Sequence, residues 1–288
     1  MFPSPRAIEI SSAIGAHFAN LVEEITKIQI SAHSVSSGEV EYFRHFFKPL
    51  ETMLNGFHIK GISFRCRTVE IHQKPIVKYG RNSKCELGDY FVNIKYIDKR
   101  KLLGRKLIIY QFKMDQHPLS WKIDKKQLKL LCEWPTFKFG NKIKGYNTFT
   151  LTPKTPDLGS YWLASKQPII SKFSIGDPWR RYFQLDFYDI VKTSSSIKRE
   201  LTRRSFNFTI SPPYFDHGLF GAVSLVLQLM WRHGEFIEAG TPFDDFLDTL
   251  YRYVNWAPDP KGEFDGFKSE NENKSGFWGV EILVSRGG

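Results

Sequence analysis

The chain has 288 residues, of which 41% are hydrophobic and 15% aromatic, and this composition excludes a disordered or fibrous protein. Its size fits one large or two modest domains. Lys and Arg number 41 against 30 Asp and Glu, so the net charge of +11 favours a polyanionic partner. Three cysteines without ligand spacing argue against a disulfide framework and a zinc site, and they favour a reducing cytoplasm.

No secretory or membrane segment is expected. The first 30 residues lack a basic segment followed by an unbroken apolar run. The longest apolar stretch, residues 218–231, is about 14 residues long where a membrane span needs roughly 20. We therefore predict a cytoplasmic protein that does not engage a membrane.

Two amphipathic helices are predicted at the start of the chain. Apolar residues recur at helical spacing over residues 7–29, and a polar gap follows. A serine pair at 36–37 is expected to cap a second helix that opens at residue 39–40 and stops before Gly56. Pro49 is expected to kink or shorten this helix.

Extended segments come next in the chain. The patterns over residues 62–73, 86–97 and 105–114 predict three strands in succession. Residues 120–134 predict a helix, which a proline ends. The later segments predict helices at 177–192, 218–233 and 241–254, and strands at 135–140, 145–153, 198–210 and 277–286.

Two of the predicted strands carry polar residues where a buried strand is normally apolar. Asp89 stands at the head of the first strand. Gln111 and Lys113 lie on one face of the second strand, about 6.8 Å apart, with Phe112 on the other face. A lysine and an amide inside an apolar strand need partners, and an acid from the neighbouring strand would supply one.

A second acid is expected from the helix before these strands. Glu39 shares the helical stripe that faces the core. Glu41, on a more polar face, and Glu86, three residues before Asp89, are the alternatives.

This order of helix glutamate, strand aspartate and Gln-x-Lys resembles the PD-(D/E)xK phosphodiesterase superfamily, in the variant in which glutamine replaces the acidic residue. The matching motifs are Gly88-Asp89 and Gln111-Phe112-Lys113, and the resemblance covers roughly residues 39–135. It implies an α/β fold of restriction-endonuclease-like type, with a mixed central sheet flanked by helices. We expect a nuclease-like domain over residues 1–165 and a mostly helical C-terminal region with a final strand over residues 166–288.

The resemblance also implies a Mg²⁺- or Mn²⁺-dependent endonuclease. Asp89, the side-chain oxygen of Gln111 and the carbonyl of Phe112 would hold the ion, with Glu39 bound directly or through water. Lys113 would orient or help deprotonate the attacking water and stabilise the charge on the phosphoryl group. Because glutamine carries no charge, metal binding should be weaker than with an acidic residue in its place.

Basic residues are concentrated around this constellation. Residues 89–150 hold 14 Lys and Arg against five acids. Such a run is either a solvated face or a surface that follows nucleic-acid phosphates. The residues expected to contact DNA are Lys122, Lys125, Lys126, Lys129, Lys138, Arg180 and Arg181.

The sequence therefore predicts a DNA phosphodiesterase, the cutting subunit of a defence system against foreign DNA. The alternative is a non-catalytic nucleic-acid-binding or assembly subunit that keeps a degenerate nuclease fold. In a third interpretation, Asp89, Gln111 and Lys113 face water on an edge strand. The chain has no Walker or dinucleotide-binding motif, so a separate NTPase or sensor subunit is an expected partner.

Overall fold

The computed structural model describes residues 5–59, 61–71, 75–114, 120–140, 148–152, 158–164, 173–174, 205–209, 220–230, 234–238, 240–253 and 277–286. The helices in these ranges are α1 Pro5–Gly15, α2 Phe18–Val35, α3 Glu39–Gly56, α4 Lys125–Glu133, α5 Phe220–Leu229 and α6 Pro242–Tyr253. The first strands are β1 His58–Ile59, β2 Ile62–Ile71, β3 Ile76–Tyr79, β4 Ser83–Glu86, β5 Tyr90–Asp98, β6 Lys101–Met114 and β7 Ser120–Asp124. They are followed by β8 Phe137–Phe139, β9 Thr148–Phe149, β10 Gly159–Ala164, β11 Phe173–Ser174, β12 Ser205–Thr209, β13 Glu235–Ile237 and β14 Phe277–Arg286.

The central sheet is mixed. Its strands run in the order β1-β2-β14-β5-β6-β10-β11, and β13 also pairs with β6. The β5–β6 pair is an antiparallel hairpin, whereas β14 runs parallel to β5 and β10 runs parallel to β6. Smaller sheets are formed by β12-β7 and by β4-β3-β8-β9; the latter is called the second sheet below.

The central strands are apolar on both faces because elements cover both. On the helical face, Tyr90, Val92 and Tyr110 pack with α1, α2, α3 and α5. On the α4 face, Phe91 and Ile109 pack with α4, α6 and the second sheet. The prediction of an α/β fold with a mixed central sheet flanked by helices is confirmed.

The prediction of a single helix over residues 7–29 is wrong, because two helices, α1 and α2, occupy this segment. α1 ends at Gly15, and His17 N donates to Ile14 O at 2.9 Å in a tight turn before α2. A Cβ at position 15 would lie 2.9 Å from the Cε of Met230, which follows α5. The break therefore occurs where glycine lets the chain pass close to a distant segment.

The cap and the length of α3 also differ from the prediction. Gly38, rather than Ser36 or Ser37, is the N-cap. Ser37 instead donates through its main-chain N and its Oγ to Glu41 Oε2, at 2.7 and 2.6 Å. α3 continues through Pro49 to its end, so the proline does not shorten it.

The helix predicted over residues 120–134 begins later. Residues 120–124 form β7, because they pair antiparallel with β12. α4 starts after Asp124, whose Oδ1 accepts from Lys126 N at 2.8 Å and Gln127 N at 3.1 Å. Pairing with a distant strand has overridden helical periodicity, and the aspartate caps the shortened helix.

The C-terminal region is described in part. Between residues 166 and 288 the described residues form α5, α6 and β11 to β14, and the helix expected at 177–192 lies outside them. The mostly helical character and the boundary at residue 165 stay predictions. β14, the expected final strand, pairs with both β2 and β5. Among the described residues, no helix has the length and apolarity needed to cross a bilayer.

Candidate functional site

The candidate site lies where β6 extends past the start of β5. The last residue pair between these strands is Tyr90 with Tyr110. The next residue toward the site, Asp89, donates its main-chain N to Tyr110 O at 2.7 Å, and its carbonyl accepts from Trp278 N at 3.0 Å. The backbone of Asp89 is therefore held between β6 and β14.

Gly88 is required for this close approach. A Cβ at this position would lie 2.7 Å from Tyr110 O and 2.8 Å from Ile109 Cγ2. A Cβ atom does not tolerate such contacts, so the residue before Asp89 must be glycine for the aspartate to reach β6. This explains the Gly88-Asp89 motif in physical terms.

The Asp89 carboxylate is buried against β6. Its Oδ2 accepts hydrogen bonds from Phe112 N, at 2.8 Å, and from Gln111 Nε2. Lys113 Nζ lies 4.0 Å from the same oxygen. Asp89 and Gln111 are 1% and 0% exposed, whereas the Lys113 side chain is 20% exposed. The carboxylate is thus stabilised from inside by hydrogen bonds, and the lysine connects it to the surface.

Glu39, the first residue of α3, contacts the same strand. Its Oε1 accepts from Met114 N at 3.2 Å. The N–H groups of residues 112 and 114 point to the same edge of β6 and lie about 6.8 Å apart, so both carboxylates accept hydrogen bonds at one edge of this strand. The Phe112 carbonyl faces this edge too, because the N–H and C=O of a strand residue share one side.

Glu41 and Glu86, the alternatives to Glu39, and Glu70 on β2 have different contacts. Glu41 accepts from Ser37, and these hydrogen bonds lower the pKa of the Glu41 carboxyl. Glu70, on β2, receives two hydrogen bonds from Arg44 at 2.9 and 3.1 Å. Glu86 lies on β4, opposite Ile76. Glu39, by contrast, accepts its hydrogen bond from β6 itself.

The Gln111 side chain has one polar atom that nothing in the described residues satisfies. Its Oε1 is buried and accepts no hydrogen bond there. Turning the amide by 180° is a change of assignment that keeps its shape, and it would point Oε1 at Asp89 Oδ2. Two oxygens face each other stably when a cation or a proton lies between them.

This donor set fits a hard divalent cation. Carboxylate, amide and main-chain oxygens are the ligands that Mg²⁺ prefers. The set includes two carboxylates, and the described residues contain no group of three or more His, Cys, Asp and Glu side chains placed to hold a metal. The affinity is therefore expected to be modest, and Gln111 is the residue that limits it.

The basic residues predicted to contact DNA occupy several elements. Lys122 and Lys138 are exposed on β7 and β8. Lys129 is exposed on α4, where its Nζ lies 3.7 Å from Glu133 Oε2. Lys125 and Lys126 are half-buried on α4, and Lys126 Nζ donates to Asn82 O at 3.4 Å. The expected partners Arg180 and Arg181 lie outside the described residues.

A second buried polar group on the α4 face was not anticipated. Lys95 Nζ lies 3.0 Å from Glu281 Oε1, and the two side chains are 6% and 0% exposed. Asn93 Nδ2 donates to Tyr251 OH at 2.6 Å and lies 3.4 Å from Glu281 Oε1. Opposite charges in two otherwise apolar strands were the available sequence signal for this pair.

Comparison with known proteins adds no assignment. No family model matches the chain, and neither the curated proteins nor the solved structures give a match.

Proposed function

We propose that this protein is a metal-dependent phosphodiesterase that hydrolyses DNA. The observation that carries the proposal is the grouping of Asp89, Gln111 and Lys113 at the end of β6, with an unsatisfied Gln111 oxygen beside a buried carboxylate. An exposed edge strand would place these residues in water, whereas Asp89 and Gln111 are buried.

The proposed ion ligands are Asp89, Gln111 Oε1, the Phe112 carbonyl and Glu39, the last directly or through water. Bound Mg²⁺ or Mn²⁺ would polarise a phosphoryl oxygen and lower the pKa of a coordinated water. The main-chain N–H of Phe112 holds the Asp89 carboxylate in place. The Met114 N–H does the same for Glu39.

The role proposed for Lys113 is electrostatic stabilisation of the reaction. Its ammonium lies near the Asp89 carboxylate at 4.0 Å, too far for a strong hydrogen bond, and its side chain is partly exposed. It can therefore turn toward a substrate while Asp89 keeps its hydrogen bond from Phe112 N. There it would orient the attacking water and stabilise negative charge that grows on the phosphoryl oxygens.

A rival function is a non-catalytic DNA-binding or assembly subunit. The observation in its favour is that Asp89 Oδ2 already accepts two hydrogen bonds from the protein itself, from Gln111 Nε2 and Phe112 N. In that case the Gln111 amide would be a permanent replacement for the metal. Part of our proposal is that the catalytic form acts in defence against foreign DNA, together with a separate NTPase or sensor subunit.

A plasmid assay tests the proposal. The full-length chain, alone and with any activating subunit, should nick supercoiled DNA with Mg²⁺ or Mn²⁺, and EDTA should stop the reaction. Lys113→Ala should lower the rate by on the order of 100-fold or more with little change in DNA affinity, because the lysine acts mainly on the transition state. Lys101→Ala, at the exposed start of β6, is the matched control.

The opposite result supports the rival. Wild-type protein that binds DNA but does not nick it with either metal, and that behaves as Lys113→Ala does, would contradict the nuclease proposal.

A further inference from the structure

Three exposed lysines lie side by side on the outer face of the second sheet. Lys84 on β4 pairs with Lys78 on β3, and Lys78 pairs with Lys138 on β8. Neighbouring strands are about 4.8 Å apart, so this lysine row spans about 10 Å. All three side chains are exposed.

The lysine row is unfavourable for the isolated fold. Like charges that lie directly opposite each other on neighbouring strands destabilise a sheet. The register cannot slip to separate them, because the alternate residues Val77, Tyr79, Phe137 and Phe139 are buried in the core. Glu86, two residues from Lys84, is an acid on the same outer face. It is not part of the row itself.

The position of the lysine row links it to the candidate site. β4 ends at Glu86, and Asp89 follows three residues later. Lys84 is therefore five residues from Asp89, at most about 18 Å along an extended chain. On the other side, Tyr79 OH donates to Lys126 O at 2.7 Å, which places α4 and its lysines next to the same sheet.

We propose that Lys78, Lys84 and Lys138 form a docking surface for the phosphate backbone of duplex DNA. Duplex DNA carries one charge per about 1.7 Å of its axis, so a 10 Å length of duplex carries about six phosphate charges, of which the three lysines can contact up to three. Binding would convert the repulsion within the row into attraction and would release counterions. The choice of partner rests on the proposed nuclease function.

Fluorescence anisotropy with a labelled 20-base-pair duplex tests this surface. The full-length protein is titrated in EDTA, which prevents cleavage, at several NaCl concentrations. The test variant is Lys78→Gln/Lys84→Gln/Lys138→Gln. A control variant, Lys27→Gln/Lys48→Gln/Lys101→Gln, removes the same charge from exposed positions on α2, α3 and the start of β6.

The row variant should show a log-log salt slope shallower by about 2 to 3, since each lost phosphate contact removes about 0.9. Its affinity at 0.1 M salt should fall by on the order of 100-fold, and that of the control variant by only a few-fold. The Tm of the row variant at low salt should be unchanged or higher. A lower Tm would indicate a structural role and would overturn the proposal.

Equal losses in both variants would also overturn it, because the effect would then be one of net charge. The proposal would likewise be overturned if the row variant lost affinity for phosphatidylserine vesicles but kept its affinity for DNA. The plasmid assay separates the two proposals. Wild-type nicking with an unaffected row variant refutes the docking surface alone, whereas row-dependent DNA binding without nicking refutes the nuclease function alone.

Discussion

Replacing Gln111 by glutamate should make the stability of this protein depend on a divalent cation. Gln111→Glu places a second carboxylate beside Asp89, in a position that is fully buried. Two unit charges about 4 Å apart repel by about 4 kcal/mol at an effective dielectric constant of 20. The alternative is to protonate one carboxyl, which at pH 7 costs about 3.7 kcal/mol, given an ordinary glutamate pKa of about 4.3.

Without metal, the variant should therefore lose up to about 4 kcal/mol of stability at pH 7. Burial and the Asp89 charge raise the pKa of the introduced carboxyl in the folded state, so the loss is absent below about pH 4.3 and grows as the pH rises from there toward 7. For a chain of this size, each kcal/mol corresponds to about 2–4 °C in Tm. Mg²⁺ should restore the lost stability, because the added carboxylate becomes a ligand of the ion.

Thermal unfolding followed by intrinsic fluorescence, at pH 5 and pH 7 and over 0–20 mM MgCl₂, measures this effect. The matched control is Gln228→Glu on α5. Gln228 is also buried, donates to Tyr110 OH, and has an unsatisfied Oε1 among the described residues. The control should be destabilised without rescue by Mg²⁺. An equal response to Mg²⁺ in wild type, Gln111→Glu and the control would refute the assignment of Gln111 as an ion ligand.

Two further substitutions test the elements that support the site. Lys95→Met should lower the free energy of unfolding by about 3–5 kcal/mol, because it removes the ammonium that balances the buried Glu281 charge, and Lys95→Met/Glu281→Leu should recover most of this loss. Urea denaturation measures both, and a double variant less stable than the single one would contradict the argument. Gly88→Ala should destabilise by about 1–3 kcal/mol, since its Cβ overlaps Tyr110 O, and should abolish any Mg²⁺-dependent rise in Tm by displacing Asp89. A Gly88→Ala protein that keeps the wild-type Mg²⁺ response would show that this close approach is not needed.

Local patterns were sufficient to predict most elements around the candidate site. Period-two alternation places Gln111 and Lys113 on one face of β6 whatever the rest of the chain does. The helix that supplies Glu39 begins at that residue, one of the two starts predicted at 39–40. The two predicted strands that hold Asp89 and Gln111 are consecutive and form one hairpin, so their meeting requires only short-range pairing.

Elements set by distant partners could not be predicted in this way. The periodicity of residues 277–286 identifies β14 as a strand but does not indicate that it inserts between β2 and β5. At the break after Gly15 the chain passes close to Met230, more than 200 residues away. The helical periodicity of residues 120–124 gives no sign that they pair with β12, about 80 residues further along the chain.

A single irregularity in the β5–β6 hairpin places Asp89 on the side of Gln111. The turn at Lys99 and Arg100, both with positive φ, pairs Asp98 with Lys101, and continuing this register would set Asp89 opposite Tyr110. Because side chains alternate, Asp89 would then face away from Gln111.

The register shifts between Tyr96 and Ile97, where Leu103 is the extra residue on β6. Beyond this bulge, Tyr90 pairs with Tyr110, so the next position sets Asp89 opposite Gln111. One inserted residue about 27 Å along the strand thus decides whether the carboxylate and the amide can share an ion. The sequence motif provides the residues, whereas the bulge determines on which face of the sheet Asp89 lies. The motif alone therefore cannot establish the site.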